Sequence, residues 1–214
     1  QLFLESFVKI FRFFLWIHQA NWHNITQLNV RKYIKNDFNH LDYACGPGTL
    51  IGKYTRANSL GVDIAKLQID YAVQKYGKYG TFLTTKEFEL SKYSNYFDIV
   101  TVLGLVEFLS TSEISELLSK INKVLKPGGK LIVTTPNFSS FIFPISEKLG
   151  NVNWSGEHKT KLNAKSALNL FSFRNYKLIQ IKKILTFGIL FSFINIKFGI
   201  YMDSIIQKLT RGSK

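Results

Sequence analysis

Residues 42–48 read Asp-Tyr-Ala-Cys-Gly-Pro-Gly and follow a short apolar run that we predict to be a strand. Because glycine has no Cβ, such a loop can turn tightly and bring backbone N–H groups and the start of a helix close to a ligand. Asp63 stands at the end of the next predicted strand, where its carboxylate could accept hydrogen bonds from both hydroxyls of a ribose. This order of strand, glycine loop, helix, strand and acid predicts a site for a nucleotide-type ligand.

Further segments are needed to narrow the kind of site, because a lone glycine loop also suits dinucleotide-binding enzymes. Residues 97–103 read as a buried strand, and residues 124–130 as the end of a helix with a Lys-Pro-Gly-Gly turn. That turn feeds another predicted strand at residues 131–135, which Pro136 ends. In this order and spacing, the segments resemble the small-molecule branch of the class I S-adenosylmethionine-dependent methyltransferases, over about residues 38–185.

The resemblance implies S-adenosylmethionine as the cofactor and a set of contact residues in the glycine loop and at two strand ends. These residues are Asp42, Ala44, Cys45, Gly46, Gly48, Asp63, Ile64, Leu103 and Leu105. In the family, the loop shapes the pocket for the methionine part, the acid at the position of Asp63 holds the ribose hydroxyls, and the residue after it packs on the adenine. Cys45 would be a small wall residue without covalent chemistry, and the two leucines would face the sulfonium region. Lys86 and Glu87 stand where the family often has an Asp, so the contact to the adenine amino group is unassigned.

Two residues are candidates for a catalytic base, because an acceptor hydroxyl loses its proton when it is methylated. His158 precedes a predicted helix, and a structural or solvent-facing histidine is its alternative interpretation. Glu107 follows the fourth predicted strand, and an acid on the protein surface is the alternative there. Phe108 stands where many members of the family carry a histidine, which excludes a catalytic histidine at that position.

Strands that alternate with helices predict an α/β fold, with a doubly wound, mainly parallel, Rossmann-like sheet and helices on both faces. Ser110 and Glu113 fit a capping box at the start of the helix between the fourth and fifth strands, and Gly128 stands where the C-cap of that helix is expected. Alternating apolar residues over 176–185 predict a sixth strand.

The chain divides into three predicted parts. Residues 1–36 are expected to form an N-terminal helical segment, residues 37–185 the cofactor-binding domain, and residues 186–214 an apolar and basic C-terminal segment. Within the domain, the long aromatic connection at residues 136–162 is expected to be a loop that caps the substrate. The chain begins with Gln1 rather than Met, and we expect a trimmed sequence.

Composition limits the partners. The formal net charge of +14 over 214 residues suggests an anionic partner, whereas the heavy use of Lys, Asn, Ile, Phe and Tyr also fits an AT-rich genome. Cys45 is the single cysteine, which excludes an intramolecular disulfide and a cysteine-ligated zinc site. We expect no metal site, because these histidines lack a partner at metal-ligand spacing: His18, His23 and His40.

No uninterrupted apolar run approaches the roughly 20 residues of a spanning helix, and no secretory signal is recognisable, so the sequence predicts a cytoplasmic protein. An aromatic helix predicted at residues 3–17, an apolar tail at residues 184–206 and the positive charge also predict peripheral contact with anionic lipid at the inner face of the membrane. A leading helix packed on the domain is the alternative for residues 3–17.

The sequence thus predicts an enzyme that transfers a methyl group from S-adenosylmethionine to a small or a lipid- or sugar-linked acceptor, at an oxygen. An RNA methyltransferase that uses the basic surface is one alternative, and a noncatalytic, methyltransferase-like binding module is another. Nucleic acid is not the expected partner, because no Asn-Pro-Pro-Tyr type motif and no Pro-Cys pair follow the fourth strand.

Overall fold

The strands form a parallel sheet in a computed structural model that describes residues 23–139, 156, 158–172, 176–184, 197–198, 201–202 and 205. The strands of these residues are β1 (Asn39–Tyr43), β2 (Asn58–Asp63), β3 (Thr81–Thr84), β4 (Phe97–Leu103) and β5 (Leu125–Thr134). They lie in the order β3-β2-β1-β4-β5, and each neighbouring pair is parallel. The predicted α/β class with a doubly wound, Rossmann-like sheet is confirmed.

Helices connect the strands, as parallel pairing requires. They are α1 (residues 23–30), α2 (Lys66–Tyr76), α3 (Thr111–Val124) and α4 (Ala164–Ser172). A π-helical turn, Leu50–Tyr54, follows the glycine loop, and a short 3-10 turn, Val106–Phe108, follows β4. Each turn follows the loop that leaves the carboxyl end of a strand, so both border the edge of the sheet where the strands end.

Apolar side chains cover both faces of the sheet. On one face, Leu41 and Val100 pack in a core cluster with Ile121 of α3. On the other face, Ile99 packs in a second cluster with Val30 of α1 and with residues of the π-helical turn. Burial on both faces explains why the sequence of β4 is a nearly continuous apolar run. A strand with one face exposed to solvent would alternate apolar and polar residues.

The helix α3 begins as predicted and ends earlier than predicted. The Glu113 N–H donates to Ser110 Oγ at 3.3 Å, and the Ser110 N–H donates to Glu113 Oε2 at 2.7 Å, which completes the capping box. The predicted C-cap at Gly128 is wrong, because α3 ends at Val124 and Leu125 is already extended, with a ψ of 138°. Gly128, with a φ of +77°, turns the chain inside the irregular start of β5.

That irregular start is held by an ion pair with β4. The pairing with β4 passes from Phe97 opposite Leu125 to Ile99 opposite Lys130. Beside this bulge, Lys126 Nζ donates to Asp98 Oδ1 at 2.7 Å. The same Asp98 carboxylate accepts the Asn39 N–H at 2.9 Å, so it fastens the bulge to the start of β1.

The segment after α4 is not the predicted sixth strand. Residues 176–184 form no strand, and Leu185 lies outside the described residues. The segment instead contacts the α1 region, where the Tyr33 hydroxyl donates to Gln180 Oε1 at 2.9 Å and Lys182 Nζ donates to Asn29 Oδ1 at 2.7 Å.

Several predicted features lie wholly or mostly outside the described residues: the helix at residues 3–17, the cap at residues 136–162 and the tail at residues 186–214. The predicted domain boundaries accordingly stay predictions. Within the part of the chain that the structure describes, no helix is long and apolar enough to cross a membrane.

Candidate functional site

The predicted site residues meet at the edge where β1, β2 and β4 end. The strand order changes direction between β1 and β4, and ligands of open α/β sheets bind in the crevice outside such a switch point. The glycine loop leaves β1 there, Asp63 ends β2 and Leu103 ends β4. Ile64 and Leu105 follow these two strand ends. The fold therefore brings together residues that the sequence analysis had predicted to form one site.

The glycine loop has an unusual backbone. Ala44, Gly46 and Gly48 have φ angles of 63°, 53° and 70°, in the left-handed region that favours glycine. A Cβ at Gly48 would lie 2.6 Å from the ring of Phe82, so only glycine fits there. A Cβ at Gly46 would have no atom of the described residues within 4 Å, which leaves open space beside the loop.

Asp63 holds this loop in place, a role that the sequence analysis missed. The Gly46 N–H donates to Asp63 Oδ2 at 2.9 Å, and the Ala65 N–H donates to Asp63 Oδ1 at 2.8 Å. The carboxylate thus joins the loop to the start of α2. Each carboxylate oxygen has further lone pairs, so both can still accept a hydrogen bond from a ribose hydroxyl.

Exposed apolar side chains stand next to this acid. Ile64 is 83% exposed and Leu67 is 85% exposed, although both are large aliphatic residues. Ile64 directly follows Asp63, at the position where the resemblance implies packing on adenine. Glu87, at the end of β3, is engaged differently, because its Oε2 accepts the Thr84 N–H at 2.7 Å.

Asp42 and Cys45 lie beneath the loop surface. Asp42 is 2% exposed, and its Oδ1 accepts a hydrogen bond from Thr101 Oγ1 at 2.6 Å. Burial raises the pKa of Asp42 to about 7, with the Thr101 hydrogen bond opposing this rise and the negative charge of Asp63 adding to it. Cys45 packs in the apolar cluster that contains Phe82, and burial raises its pKa, so it stays a thiol.

These features fit the cofactor that the resemblance implies. The open space beside Gly46 offers a place for a ligand next to backbone N–H groups, and the Asp63 carboxylate is only partly buried. The apolar surface of Ile64 is available for contact with a flat ring. In the described part of the chain, no group of three or more His, Cys, Asp or Glu side chains could hold a metal ion.

The two candidate bases, which come from distant segments, are neighbours in the structure. Glu107 is 3% exposed and His158 is 7% exposed, so neither is on the surface. The Thr160 N–H donates to the Glu107 carbonyl oxygen at 3.1 Å, which fastens the segment of His158 to the turn after β4. The His158 ring lies between two aromatic rings, with its centroid 4.9 Å from that of Phe108 and 5.0 Å from that of Phe138.

The Glu107 carboxylate faces the end of β4. A Cβ at Gly104 would lie 3.6 Å from Glu107 Oε1, and Oε2 is buried without a hydrogen bond to any described residue. Burial raises the pKa of Glu107, while its own backbone, the charge of His158 and the Thr135 side chain oppose this rise. Such a carboxyl can take up a proton closer to neutral pH than an exposed glutamate does.

Comparisons with known proteins agree with this site. Residues 41–129 match the model of a family described as a methyltransferase domain. That range contains the glycine loop, Asp63 and Glu107. No protein with a curated description matches the chain in sequence.

Solved structures share the fold. An S-adenosylmethionine-dependent methyltransferase from Archaeoglobus fulgidus is 19% identical, with a TM-score of 0.55 over 88% of this chain and 87% of that chain. Magnesium protoporphyrin IX methyltransferase from Synechocystis PCC 6803, solved with bound S-adenosylhomocysteine, is 17% identical, with a TM-score of 0.56 over 76% of this chain and 74% of that one. A methyltransferase from Methanosarcina mazei is 18% identical, with a TM-score of 0.53 over 73% and 88% of the two chains. Residues 41–129 therefore resemble a methyltransferase domain, and this chain shares its fold with S-adenosylmethionine-dependent methyltransferases.

Proposed function

We propose that this enzyme methylates a hydroxyl oxygen of a small or a lipid- or sugar-linked acceptor, with Glu107 and His158 as the groups that manage the acceptor proton. The observation that carries the proposal is the burial of these two side chains together at the end of β4. A buried carboxylate oxygen without a hydrogen bond to a described residue, as at Glu107 Oε2, is costly, and such groups occur where chemistry needs them.

In this reaction the protein orients the cofactor and the acceptor and removes the proton of the acceptor. When bound, S-adenosylmethionine supplies a methyl group on a sulfonium, which is already activated for in-line displacement. Asp63, the glycine loop and Ile64 would bind the cofactor, and the side chains at the end of β4 would orient the acceptor. Glu107 would take the acceptor proton as the new bond between oxygen and carbon forms and the bond from that carbon to the sulfonium sulfur breaks, which leaves the Glu107 carboxyl neutral. The electrostatic interaction with His158 would favour the ionised form of Glu107 before the transfer.

The surroundings of the base favour an apolar acceptor. Phe108 and Phe138 flank His158, and Phe108 is 43% exposed. Leu105 lies between β4 and Glu107 and packs against the core. Aromatic and aliphatic walls around one or two polar groups are typical of sites for small apolar ligands. This supports a phenol, a quinol or a lipid-linked alcohol over a highly charged acceptor.

The proposal is tested by replacing Glu107 with Gln, which keeps the shape and removes the base. Turnover should fall by roughly 10²- to 10⁴-fold, the usual contribution of a general base, while the affinity for S-adenosylhomocysteine stays within about twofold. In the wild type, kcat should decline as the pH falls through the pKa of Glu107, which burial places above the ordinary range of glutamate. The matched control is Glu116→Gln, at an exposed position of α3.

The acceptor is identified with methyl-labelled cofactor and a panel of phenols, quinols, lipid- and sugar-linked alcohols, amines and RNA. A labelled methyl group on an ether oxygen of the product supports the proposal. Label in amines alone would contradict oxygen as the acceptor atom, and label in RNA alone would contradict a small or a lipid- or sugar-linked acceptor. Full turnover of the Glu107→Gln variant would remove Glu107 from the mechanism.

A further inference from the structure

A row of buried polar side chains crosses the sheet beneath the glycine loop. His40 Nδ1 lies 3.0 Å from Ser59 Oγ, and His40 Nε2 lies 2.9 Å from Thr101 Oγ1. Thr101 Oγ1 in turn lies 2.6 Å from Asp42 Oδ1. All four residues are buried, with exposures between 0% and 4%. From the sequence, His40 was predicted not to bind a metal, because it has no partner at metal-ligand spacing; its place in this row was not predicted.

The register of three strands explains this row. His40 and Asp42 are two residues apart on β1, so they point to the same face of the sheet. His40 is paired with Ser59 on β2, and Asp42 is paired with Thr101 on β4. The polar row therefore runs from β2 through β1 to β4 and ends at the acid that opens the glycine loop.

When Asp42 is ionised, hydrogen-bond counting gives the direction of each bond. A threonine hydroxyl has one hydrogen, and an ionised Asp42 can only accept, so the Thr101 hydrogen points to Asp42. Thr101 Oγ1 must then accept from His40 Nε2, which places the imidazole hydrogen on Nε2. Burial lowers the pKa of His40 to about 3, so the ring is neutral and its Nδ1 accepts from the Ser59 hydroxyl.

We propose that His40 is a positioning residue for the cofactor site: through Thr101, it holds the Asp42 carboxylate ionised and aligned beneath the glycine loop. The inference rests on the cofactor role proposed for Asp42. The methionine part of S-adenosylmethionine carries an ammonium group, which an ionised Asp42 attracts and a protonated Asp42 does not. The hydrogen on His40 Nε2 thus contributes to cofactor affinity without any contact between His40 and the cofactor.

Other titratable groups near Asp42 are few among the described residues. Asp63, at the end of β2, opposes the ionisation of Asp42 by its negative charge, and Cys45 in the loop stays a thiol. In the π-helical turn that covers this face, Lys53 is exposed and the Tyr54 hydroxyl donates to Asn24 Oδ1. The Thr101 hydroxyl is therefore the main protein group that favours the charged form of Asp42.

The test compares Thr101→Val with Thr101→Ser, because valine keeps the shape of threonine and serine keeps its hydroxyl. Affinity for S-adenosylhomocysteine is measured by calorimetry from pH 6 to 9. Thr101→Val should bind about tenfold more weakly than the wild type at pH 7 and recover toward pH 9, since loss of a hydrogen bond to a carboxylate raises its pKa. Thr101→Ser should restore the wild-type pH profile, and Thr81→Val, at an exposed position of β3, is the matched control.

Nitrogen-15 chemical shifts of His40 give a second readout that needs no ligand. At pH 7.5 the wild type should show the Nε2–H tautomer, and Thr101→Val should alter it. A Nδ1–H tautomer in the wild type would overturn the proposal, and so would a loss of affinity in Thr101→Val that is equal at every pH. Wild-type protein that does not bind S-adenosylhomocysteine would instead refute the cofactor site, and products methylated at nitrogen would refute only the oxygen acceptor.

Discussion

At the scale of single residues, Asp63 has an expected role toward the ribose of the cofactor and an observed role in holding the backbone around it. Its place after β2 makes it the expected partner of a ribose. In the structure its two oxygens also accept the backbone N–H groups of Gly46 and Ala65. The glycine loop and the start of α2 are thus held by the same carboxylate that is predicted to bind the ribose of the cofactor.

We predict that Asp63→Ala lowers the affinity for S-adenosylhomocysteine by at least 100-fold, because each hydrogen bond to a charged group contributes about 1.5–3 kcal/mol. Calorimetry measures the affinity, and amide hydrogen exchange at Gly46 should accelerate as the loop loses its acceptor. Asp63→Asn keeps one acceptor oxygen and should fall between the wild type and the alanine variant.

Asp70→Ala is the matched control for Asp63→Ala. Asp70 is an exposed acid of α2 that pairs with Lys66 at 2.7 Å, and surface pairs of this kind contribute little. Its removal should leave both readouts unchanged. Unaltered affinity in a folded Asp63→Ala protein would refute the assignment of Asp63 to the ribose.

At the scale of elements, the start of α3 is joined to the segment that carries His158. Hydrogen bonds from Ser110 and from Lys159 lower the pKa of Glu113 to about 2. Lys159 directly follows His158, and its Nζ lies 3.2 Å from Glu113 Oε2. A carboxyl whose pKa is lower in the folded state stabilises the fold above its unfolded pKa, and this contribution is lost as the pH falls toward about 2.

We predict that Ser110→Ala lowers the free energy of unfolding by about 1 kcal/mol at pH 7, which is typical for loss of an N-cap. The difference from wild type should shrink as the pH falls toward about 2, because the stabilising contribution of the ionised Glu113 carboxylate is lost progressively in that direction. Urea unfolding at pH 7 and pH 3 measures it. Ser119→Ala, at an exposed position within α3, is the matched control and should not destabilise the protein. Equal stability of Ser110→Ala and wild type at pH 7 would contradict the prediction.

Elements were predictable where local and tertiary signals agree. Residues 97–103 were predicted as a strand and form β4, because an apolar run buried on both faces suits only a central strand. The predicted strand at residues 176–185 was wrong because alternation specifies a face, whereas a strand also needs a neighbour for its hydrogen bonds; Leu178 and Ile179 are 56% and 77% exposed. Gly128 was misplaced for a related reason, since α3 ends at Val124 and Leu125 already pairs with Phe97 of β4.

The candidate site was predictable in its members and not in its internal bonds. Residue types at fixed spacing located the glycine loop, Asp63, Glu107 and His158. The hydrogen bond from Gly46 to Asp63 and the row from His40 to Asp42 depend on strand register, which a single sequence does not specify. A polar residue two positions before Asp42 was the available signal for that row.

At the scale of the whole molecule, charge is the dominant feature. The formal net charge is +14, and the apolar segments at residues 3–17 and 184–206 are mostly outside the described residues. We predict reversible binding to membranes that contain anionic lipid, because cations near such a surface each contribute about 1 kcal/mol within the Debye length.

Flotation with anionic and neutral vesicles, at low and high salt, measures this binding. The protein should float with anionic vesicles at low salt and stay behind at high salt, while neutral vesicles retain little of it. Absence of binding to anionic vesicles at low salt would contradict the prediction. It would favour packing of both segments on the domain and would attribute the positive charge to the composition of the genome.

The left-handed backbone of the glycine loop affects the stage at which the chain loses the conformational entropy that recognition of the cofactor requires. Ala44, Gly46 and Gly48 already have positive φ angles, and Asp63 already holds Gly46. Ordering such residues costs roughly 1–2 kcal/mol each, and in this domain the loss occurs when the chain folds rather than when the ligand arrives. Conditions that loosen the domain will therefore weaken recognition of the cofactor before they unfold the chain, and the bound cofactor will in turn raise the melting temperature.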